Sequence, residues 1–364
     1  MKDVTEILTG KTNGAHIPLI AGPCSAESYE QLRTTVLELI KIPNLIAVRA
    51  GVWKPRTRPG SFEGIGEHAL HWIDSVKQET RVKFAVEVAN AWQTESALKS
   101  GIDILWIGAR TTVNPFYVQE IADALRGTNV PVMIKNPIHA DLGLWIGAVE
   151  RLRKVGLDRL VAVHRGFFTS GTSVFRNDPK WEIPVDFRTC MPDVPLLCDP
   201  SHISGKRDYI FEISQAALDL EMDGLMIESH HRPEDALSDA EQQITPEHLK
   251  EIMSALVRRE ETPTNASALE SLSKLRHQID ELDHEILQLL EKRKQIVEII
   301  GELKRNNNIT ILQFKRWFEI VNDRSQLAGI LGLEKDVVLE IFQLIHRSSI
   351  KIQQQILQGK TSEV

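Results

Sequence analysis

The chain has 364 residues, of which 42% are hydrophobic and 26% charged, the profile of a folded globular protein with room for two or three domains. A formal net charge of -7 excludes the broad basic face of a general nucleic-acid binder, and three cysteines exclude a disulfide framework, which points to a reducing compartment. No apolar run approaches the roughly 18 residues that span a membrane, and the opening MKDVTEILTG lacks the apolar centre of a signal peptide. The expectation is therefore a cytoplasmic protein with neither nucleic acid nor membrane as partner.

In chain order, residues 1–17 read as a short lead-in hairpin turning at Thr12-Asn13-Gly14. Short apolar runs rich in Val, Ile and Leu follow at 18–24, 45–50, 83–89, 103–109, 130–136, 159–165, 195–202 and 224–229. Near-continuous apolar runs suit parallel strands buried on both faces. Helical patterns separate most of them, as at 28–41 and 207–220. Eight strands with helical crossovers in about 250 residues predict a (β/α)8 TIM barrel. An open doubly wound sheet is the alternative, but no glycine-rich dinucleotide fingerprint follows the first strand. The polar stretch RREETPTNASALES then marks a linker. Beyond it lies a long helical stripe of Leu275, Ile279, Leu282, Ile286, Leu289, Leu290, Val297 and Ile300, broken at NNNIT and followed by two shorter helices at 312–328 and 335–357. The expected domains are 1–258 (barrel), 259–267 (linker) and 268–364 (all-α, three helices). The first helix is roughly 55 Å long at 1.5 Å per residue. Two shorter helices cannot cover that length, so this domain is expected to complete its core with a second chain as a homodimer.

In a barrel of this kind, chemistry collects at the C-terminal ends of the strands. Cys24 ends the first strand, His202 in DPSHISG ends the seventh, Glu228 ends the eighth, and Asp239 lies in the loop after it. Taken singly, each has a plain structural reading: a buried thiol, a hydrogen-bonded histidine, loop carboxylates. Strands seven, eight and one are neighbours once the barrel closes, so all four groups can converge on a divalent transition ion. Cations recur at the same ends: Arg49, then Lys54, Arg56 and Arg58 in VWKPRTRPG, Arg110, Lys135 and Arg165. A single surface arginine is usually a solvated charge; a rim of them suits phosphates and carboxylates.

The motifs GPCSAE, RAGVWKPRTRP, IGART, IKNP, HRGF, DPSHISG, MIES and ALSDAEQQ, in this order, resemble the metal-dependent (β/α)8 class of 3-deoxy-D-arabino-heptulosonate 7-phosphate (DAHP) synthases over about residues 15–258. KPRT separates this resemblance from the related 3-deoxy-octulosonate 8-phosphate synthases. It implies condensation of phosphoenolpyruvate with erythrose 4-phosphate. The implied metal ligands are Cys24, His202, Glu228 and Asp239, for Mn2+ foremost and otherwise Co2+, Fe2+ or Zn2+. Arg49, Lys54, Arg110, Lys135 and Arg165 are implied around phosphoenolpyruvate, with Lys54 as proton donor or positioning group; Arg56 and Thr57 are implied at erythrose 4-phosphate.

In the helical segment, Arg293 and Lys304 are eleven residues apart and project from nearly one face, and Ser349 and Gln353 are one turn apart. Arg276 lies roughly 25 Å along the helix from Arg293 and shares a pocket with it only if a second chain supplies it. LRHQIDELDHEILQLLEKRKQIVEIIGELK and IFQLIHRSSIKIQQQ resemble the all-helical chorismate mutases over about 268–358. The resemblance implies rearrangement of chorismate to prephenate in an intertwined dimer without cofactor. It assigns Arg293, Lys304, Arg316, Ser349 and Gln353 to the ligand, Lys304 and Gln353 at the ether oxygen, and Arg276 from the other chain. Gln313 and Trp317 depart from it, standing where acidic residues are common, Trp317 where a Glu often meets the substrate hydroxyl. The alternative for this domain is a module that senses prephenate or chorismate and dimerises; for the barrel it is a related 3-deoxy-sugar-phosphate synthase.

Overall fold

A computed structural model describes residues 4–9, 16–54, 60, 62–171, 173–260, 262–263 and 265–359. The turn expected at Thr12-Asn13-Gly14 and the residues Arg56, Thr57 and Arg58 lie outside them. The chain divides into two compact units, Met1–Arg259 and Glu260–Val364.

Eight parallel strands form a closed barrel in sequential order: β1 Leu19–Gly22, β2 Leu45–Arg49, β3 Phe84–Val88, β4 Ile104–Ile107, β5 Val132–Lys135, β6 Leu160–His164, β7 Leu196–Cys198 and β8 Gly224–Glu228. All eight fall inside the apolar runs. Closure joins β1 to β8, with Gly22 opposite Glu228. Helices α1 Val4–Thr9, α2 Tyr29–Leu39, α3 His68–Thr80, α4 Ala91–Lys99, α5 Ala109–Thr112, α6 Pro115–Ala124, α7 Leu142–Lys154, α8 Glu182–Cys190, α9 Pro200–Ser204, α10 Ile210–Asp219 and α11 Pro246–Ala255 complete the unit. Side-chain oxygens cap many of their N-termini: Ser28 for α2, Asn90 for α4, Asn114 for α6, Asp141 for α7, Asp199 for α9 and Thr245 for α11.

Alternation along the strands makes two cores. Outward residues such as Leu19, Val48, Phe84, Leu105 and Ile134 pack under the helices. Inward residues Ile20, Ala47, Ala85, Trp106, Met133, Val161, Val163, Leu197 and Met226 fill the barrel. The described part of the lead-in, Val4–Thr9, is a helix rather than a hairpin strand. It forms α1, whose Val4, Ile7 and Leu8 share one helical face and join the interior core, with Arg159 Nε donating to the Ile7 carbonyl at 2.8 Å. Since α1 precedes β1, it closes the end of the barrel opposite the rim.

Among the described residues the second unit has three helices: α12 Ala266–Asn306, α13 Phe314–Ile330 and α14 Lys335–Leu357. Asn265 caps α12. Gly301 permits a close approach of α14, because a Cβ there would stand 2.8 Å from Ile356 Cδ1 and 3.4 Å from Gln353 Cγ. Little is buried within the unit. Val297 and Ala328 are its buried apolar side chains among the described residues, and Lys304, Ser349 and Gln353 its buried polar ones. Leu275, Ile279, Leu282, Ile286 and Leu289 are each more than half exposed. No helix among the described residues is long and apolar enough to cross a membrane.

Trp106 is fully buried at the centre of the barrel. Trp106→Ala is expected to cost about 3–5 kcal/mol, the loss typical of deleting a large buried aromatic, read as a lower denaturation midpoint of the barrel transition.

Candidate active site

The C-terminal ends of the strands carry a layer of charge above Trp106. Arg49 ends β2 with its guanidinium 5.1 Å from the Trp106 ring centre, and Lys135 ends β5 with Nζ 5.9 Å from it. Each cation has an acidic partner. Arg49 Nη2 lies 2.9 Å from Glu228 Oε1, and Lys135 Nζ lies 2.6 Å from Asp199 Oδ2. All four side chains are essentially sealed from solvent. Burial raises the proton affinity of the Glu228 and Asp199 carboxyls; the neighbouring cations and His202 more than reverse this, so both are held below the usual carboxylate range. Burial lowers Lys135, with Asp199 opposing it.

Asp199 organises the seventh strand end. Its Oδ1 accepts from the His202 backbone N–H at 3.1 Å, capping α9, and the carboxylate also holds His202 Nδ1, at 3.0 Å from Oδ1 and 2.8 Å from Oδ2. That leaves His202 Nε2 turned toward Glu228 Oε1, 3.9 Å away. A histidine tied to a carboxylate through one nitrogen with the other left open is the arrangement that orients metal ligands. Glu228 is fixed in turn: its backbone N–H donates to Ser201 Oγ at 2.9 Å, and Gln242 Nε2 donates to its Oε2 at 2.6 Å.

Cys24 and Asp239 form the adjoining pair, with Sγ 3.3 Å from Oδ2. Lys54 Nζ donates to the same sulfur at 2.9 Å. Glycine at 51 makes this possible, since a Cβ there would lie 2.9 Å from Lys54 Nζ and 2.2 Å from the Cys24 carbonyl oxygen. Burial and the Glu228 charge push the Cys24 thiol up to about 12. Burial opposes the charge on Lys54, but Cys24 and Glu228 leave it more basic than usual. Asp239 sits in the left-handed backbone region, φ 47°, and Arg176 Nη1 holds its Oδ1 at 3.0 Å while reaching Gln242 Oε1 at 2.8 Å. A cavity of about 430 Å3 opens beside Asp239 and Arg176, lined also by Phe175, Ser204, Lys206 and Gln242.

Two ligand-spaced pairs, Cys24 with Asp239 and His202 with Glu228, therefore adjoin. Among the described residues no three such side chains already surround one point. The donor set of one sulfur, one imidazole nitrogen and carboxylate oxygens suits a divalent transition ion. Arg49 Nε and Nη1 are buried without a hydrogen-bond partner among the described residues, so the layer keeps directed polar capacity in reserve. Arg165, one residue past β6, donates from Nη1 to Asn177 Oδ1 at 2.8 Å; burial pulls its guanidinium down to about 10, still charged at neutral pH. Arg110 is exposed on α5, close enough to Arg165 to contribute to that shift. Arg56 and Thr57 fall outside the described residues. Sequence reasoning missed Asp199, Arg176, Asn177, Gln242 and Trp106. The available signal for Asp199 was its position one residue past β7 in the same motif as His202.

In the helical unit, Arg293 Nη1 donates to Ser349 Oγ at 2.7 Å. Lys304 Nζ donates to the Ile311 carbonyl at 2.6 Å, and Gln353 Oε1 is buried without a partner among the described residues. A cavity of about 450 Å3 shares Arg293 and Ser349 but has mostly apolar walls, including Leu290, Val297, Leu344 and Ile352. Lys304 and Gln353 do not line it. Arg276 and Arg316 are exposed, Arg316 paired with Glu319 at 3.0 Å.

The first unit is thus a (β/α)8 enzyme barrel whose strand ends carry a cationic rim beside a cluster of Cys, His, Glu and Asp side chains. The sequence model of the DAHP synthetase I family matches residues 2–263, and that of chorismate mutase type II matches residues 275–354. A phospho-2-dehydro-3-deoxyheptonate aldolase of Thermotoga maritima is 30% identical over 246 residues, 67% of this chain and 70% of that one. A 2-dehydro-3-deoxyphosphooctonate aldolase of Syntrophotalea carbinolica is 25% identical over 282 residues, 71% of this chain and 96% of that one. The crystal structure of the Thermotoga maritima DAHP synthase superposes with a TM-score of 0.59 at 28% identity, covering 66% of this chain and 68% of that one. A truncated form of the Thermotoga maritima enzyme gives 0.56 at 25% identity, covering 66% and 85%. The chain belongs to the DAHP synthetase I family, with a chorismate mutase domain following the barrel in sequence. It is an enzyme of the shikimate pathway with two activities.

Arg49→Met strands Glu228 in the interior and is expected to cost about 3–5 kcal/mol in denaturant unfolding. The double variant Arg49→Met/Glu228→Gln should recover much of that stability while remaining inactive as a synthase.

Proposed function

We propose that the barrel condenses phosphoenolpyruvate with erythrose 4-phosphate and that the helical unit converts chorismate to prephenate. The observation that carries the first half is the adjacency of the Cys24–Asp239 and His202–Glu228 pairs to the buried Arg49 and Lys135. Cys24, His202, Glu228 and Asp239 would hold a divalent ion, Mn2+ foremost and otherwise Co2+, Fe2+ or Zn2+. When bound, it supplies Lewis-acid polarisation of the aldehyde. Arg49, Lys135, Arg165 and Arg110 neutralise the phosphate and carboxylate of phosphoenolpyruvate, and fixed charges in a water-poor site need no reorganisation as the reaction proceeds. Carbon 3 of phosphoenolpyruvate attacks the aldehyde carbon, water adds at carbon 2, and phosphate leaves as the ketone forms. The aldehyde oxygen takes up a proton as it becomes a hydroxyl; Lys54, kept protonated by the nearby Glu228 charge, is the donor. Arg56 and Thr57 grip the phosphate of erythrose 4-phosphate. The KPRT sequence favours this acceptor over arabinose 5-phosphate.

For the helical unit, burial of Lys304, Ser349 and Gln353 in an otherwise open bundle supports a polar site there. Arg293, Arg316 and Ser349 take the carboxylates, with Arg276 from a second copy; Lys304 and Gln353 face the ether oxygen. The rearrangement needs no cofactor. Second-copy participation follows from length: α12 spans roughly 60 Å, α13 and α14 roughly 25 and 35 Å, and the exposed Leu275–Leu289 stripe calls for an apolar partner surface. A homodimer through these helices, working in the cytoplasm, fits the reading. A module that only senses chorismate or prephenate would bind them without turnover.

Four measurements test this. Chelation is expected to abolish synthase turnover and Mn2+ to restore it, and Cys24→Ser should lose most ion binding in calorimetry; full activity in stripped protein would refute the metal role. Arg293→Ala should abolish mutase turnover and spare synthase turnover. Leu282→Glu/Ile286→Lys should convert a dimer to a monomer in analytical ultracentrifugation and lower mutase turnover with it.

A further inference from the structure

The helical unit carries an aromatic pair that the preceding assignments leave without a task. Trp317 on α13, next to Arg316, stacks on the His346 ring of α14 with centroids 4.2 Å apart and planes 18° apart. His346 precedes Ser349 by three residues and Gln353 by seven, so the three share one face of α14. Ser349 is tied to Arg293, which sets His346 one turn from that cation. His346 Nε2 is buried and has no hydrogen-bond partner among the described residues. Burial, then Arg293, then Lys304 hold the imidazole below its usual proton affinity, so the ring is neutral at pH 7. A neutral imidazole offers one N–H donor and one lone pair.

Chorismate presents two carboxylates, an ether oxygen and a ring hydroxyl. The cations and Ser349 account for the carboxylates, and Lys304 with Gln353 for the ether oxygen, which leaves the hydroxyl. The indole of Trp317 has no acceptor atom and cannot replace the acidic side chain common at its place. The imidazole that it supports can accept from a hydroxyl or donate to it, and brings no negative charge to compete with a dicarboxylate for Arg293 and Lys304. Resting on the mutase reading above, we propose that His346 is the substrate contact that recognises the ring hydroxyl, with Trp317 as the positioning residue that fixes its ring.

The test uses the full-length chain with chorismate, the chorismate analogue lacking the ring hydroxyl, and prephenate as a binding probe. The wild type should prefer chorismate in kcat/KM by about 10-fold or more, the discrimination available to a site that hydrogen-bonds a substrate hydroxyl. His346→Phe keeps a ring to stack on Trp317 and removes both nitrogens. It is expected to lower kcat/KM for chorismate about 10- to 100-fold, leave the analogue nearly unchanged and so erase the preference. His346→Gln, which restores a donor and an acceptor, should recover part of it. Trp317→Phe, which keeps an aromatic face against the imidazole, should retain more of the preference than Trp317→Ala, which should lose it but still bind prephenate in calorimetry. Equal losses on both substrates, or an intact preference in His346→Phe, would overturn the proposal. If His346→Phe loses helicity by circular dichroism, His346→Leu is read by the same criterion, and an unfolded His346→Leu as well would assign the ring a structural role and overturn it. A wild type that neither binds nor converts chorismate would sink the mutase reading and this proposal with it. A wild type that converts chorismate while His346→Phe keeps its preference would sink only the His346 assignment.

Discussion

The barrel depends on a constraint of electrostatics: charges taken out of water must meet their opposites. Arg49, Lys135, Asp199 and Glu228 are all withdrawn from solvent at one level of the barrel. A lone ion there would cost several kcal/mol, so each is tolerable only because strand order sets it against a counter-charge. Arg49 on β2 reaches Glu228 on β8, and Lys135 on β5 reaches Asp199 past β7. These pairings run across the barrel mouth rather than along any one strand, and Trp106 presents its π face to both cations from below. The layer is thus a fixed electrostatic surface resting on a packed floor. From it, Asp199 orients His202, Gln242 orients Glu228, and Arg176 orients Asp239.

The two units solve the problem of building a polar site differently. The barrel encloses its own charges with a complete core of its own, and the interior is plugged by α1 at the far end. In the helical unit Lys304, Ser349 and Gln353 are buried while a long apolar stripe is exposed, a pattern at odds with a self-sufficient fold. Its few internal constraints are specific: glycine at 301 lets α14 close on α12, and the Arg293–Ser349 bond fixes one cation against the last helix.

The strands were legible because burial on both faces forces long apolar runs, and each of the eight lies within the run that predicts it. The helical breaks at NNNIT and before residue 335 were equally plain. The helix at 4–9 was not legible because Val4, Ile7 and Leu8 are too few to announce a helix without the barrel interior to receive them. Terminal side chains such as Cys24, Arg49, Lys135, His202 and Glu228 could be named from position alone. Arg176 and Gln242 could not, because their parts are defined by hydrogen bonds that exist only after closure, and Asp199 offered only its place beside His202 at the end of β7. The His346–Trp317 stack joins helices separated by a turn, and no spacing rule pairs a tryptophan on one with a histidine on another.

The contact between Cys24 and Asp239 spans 215 residues of chain. Closing so long a loop carries an entropic cost that only the completed ring of strands offsets. During synthesis on the ribosome, the sulfur therefore emerges long before its acidic neighbour, and nearly the whole first unit must be extruded before the two can meet. The Cys24–Asp239 contact is accordingly among the last of the barrel that can form.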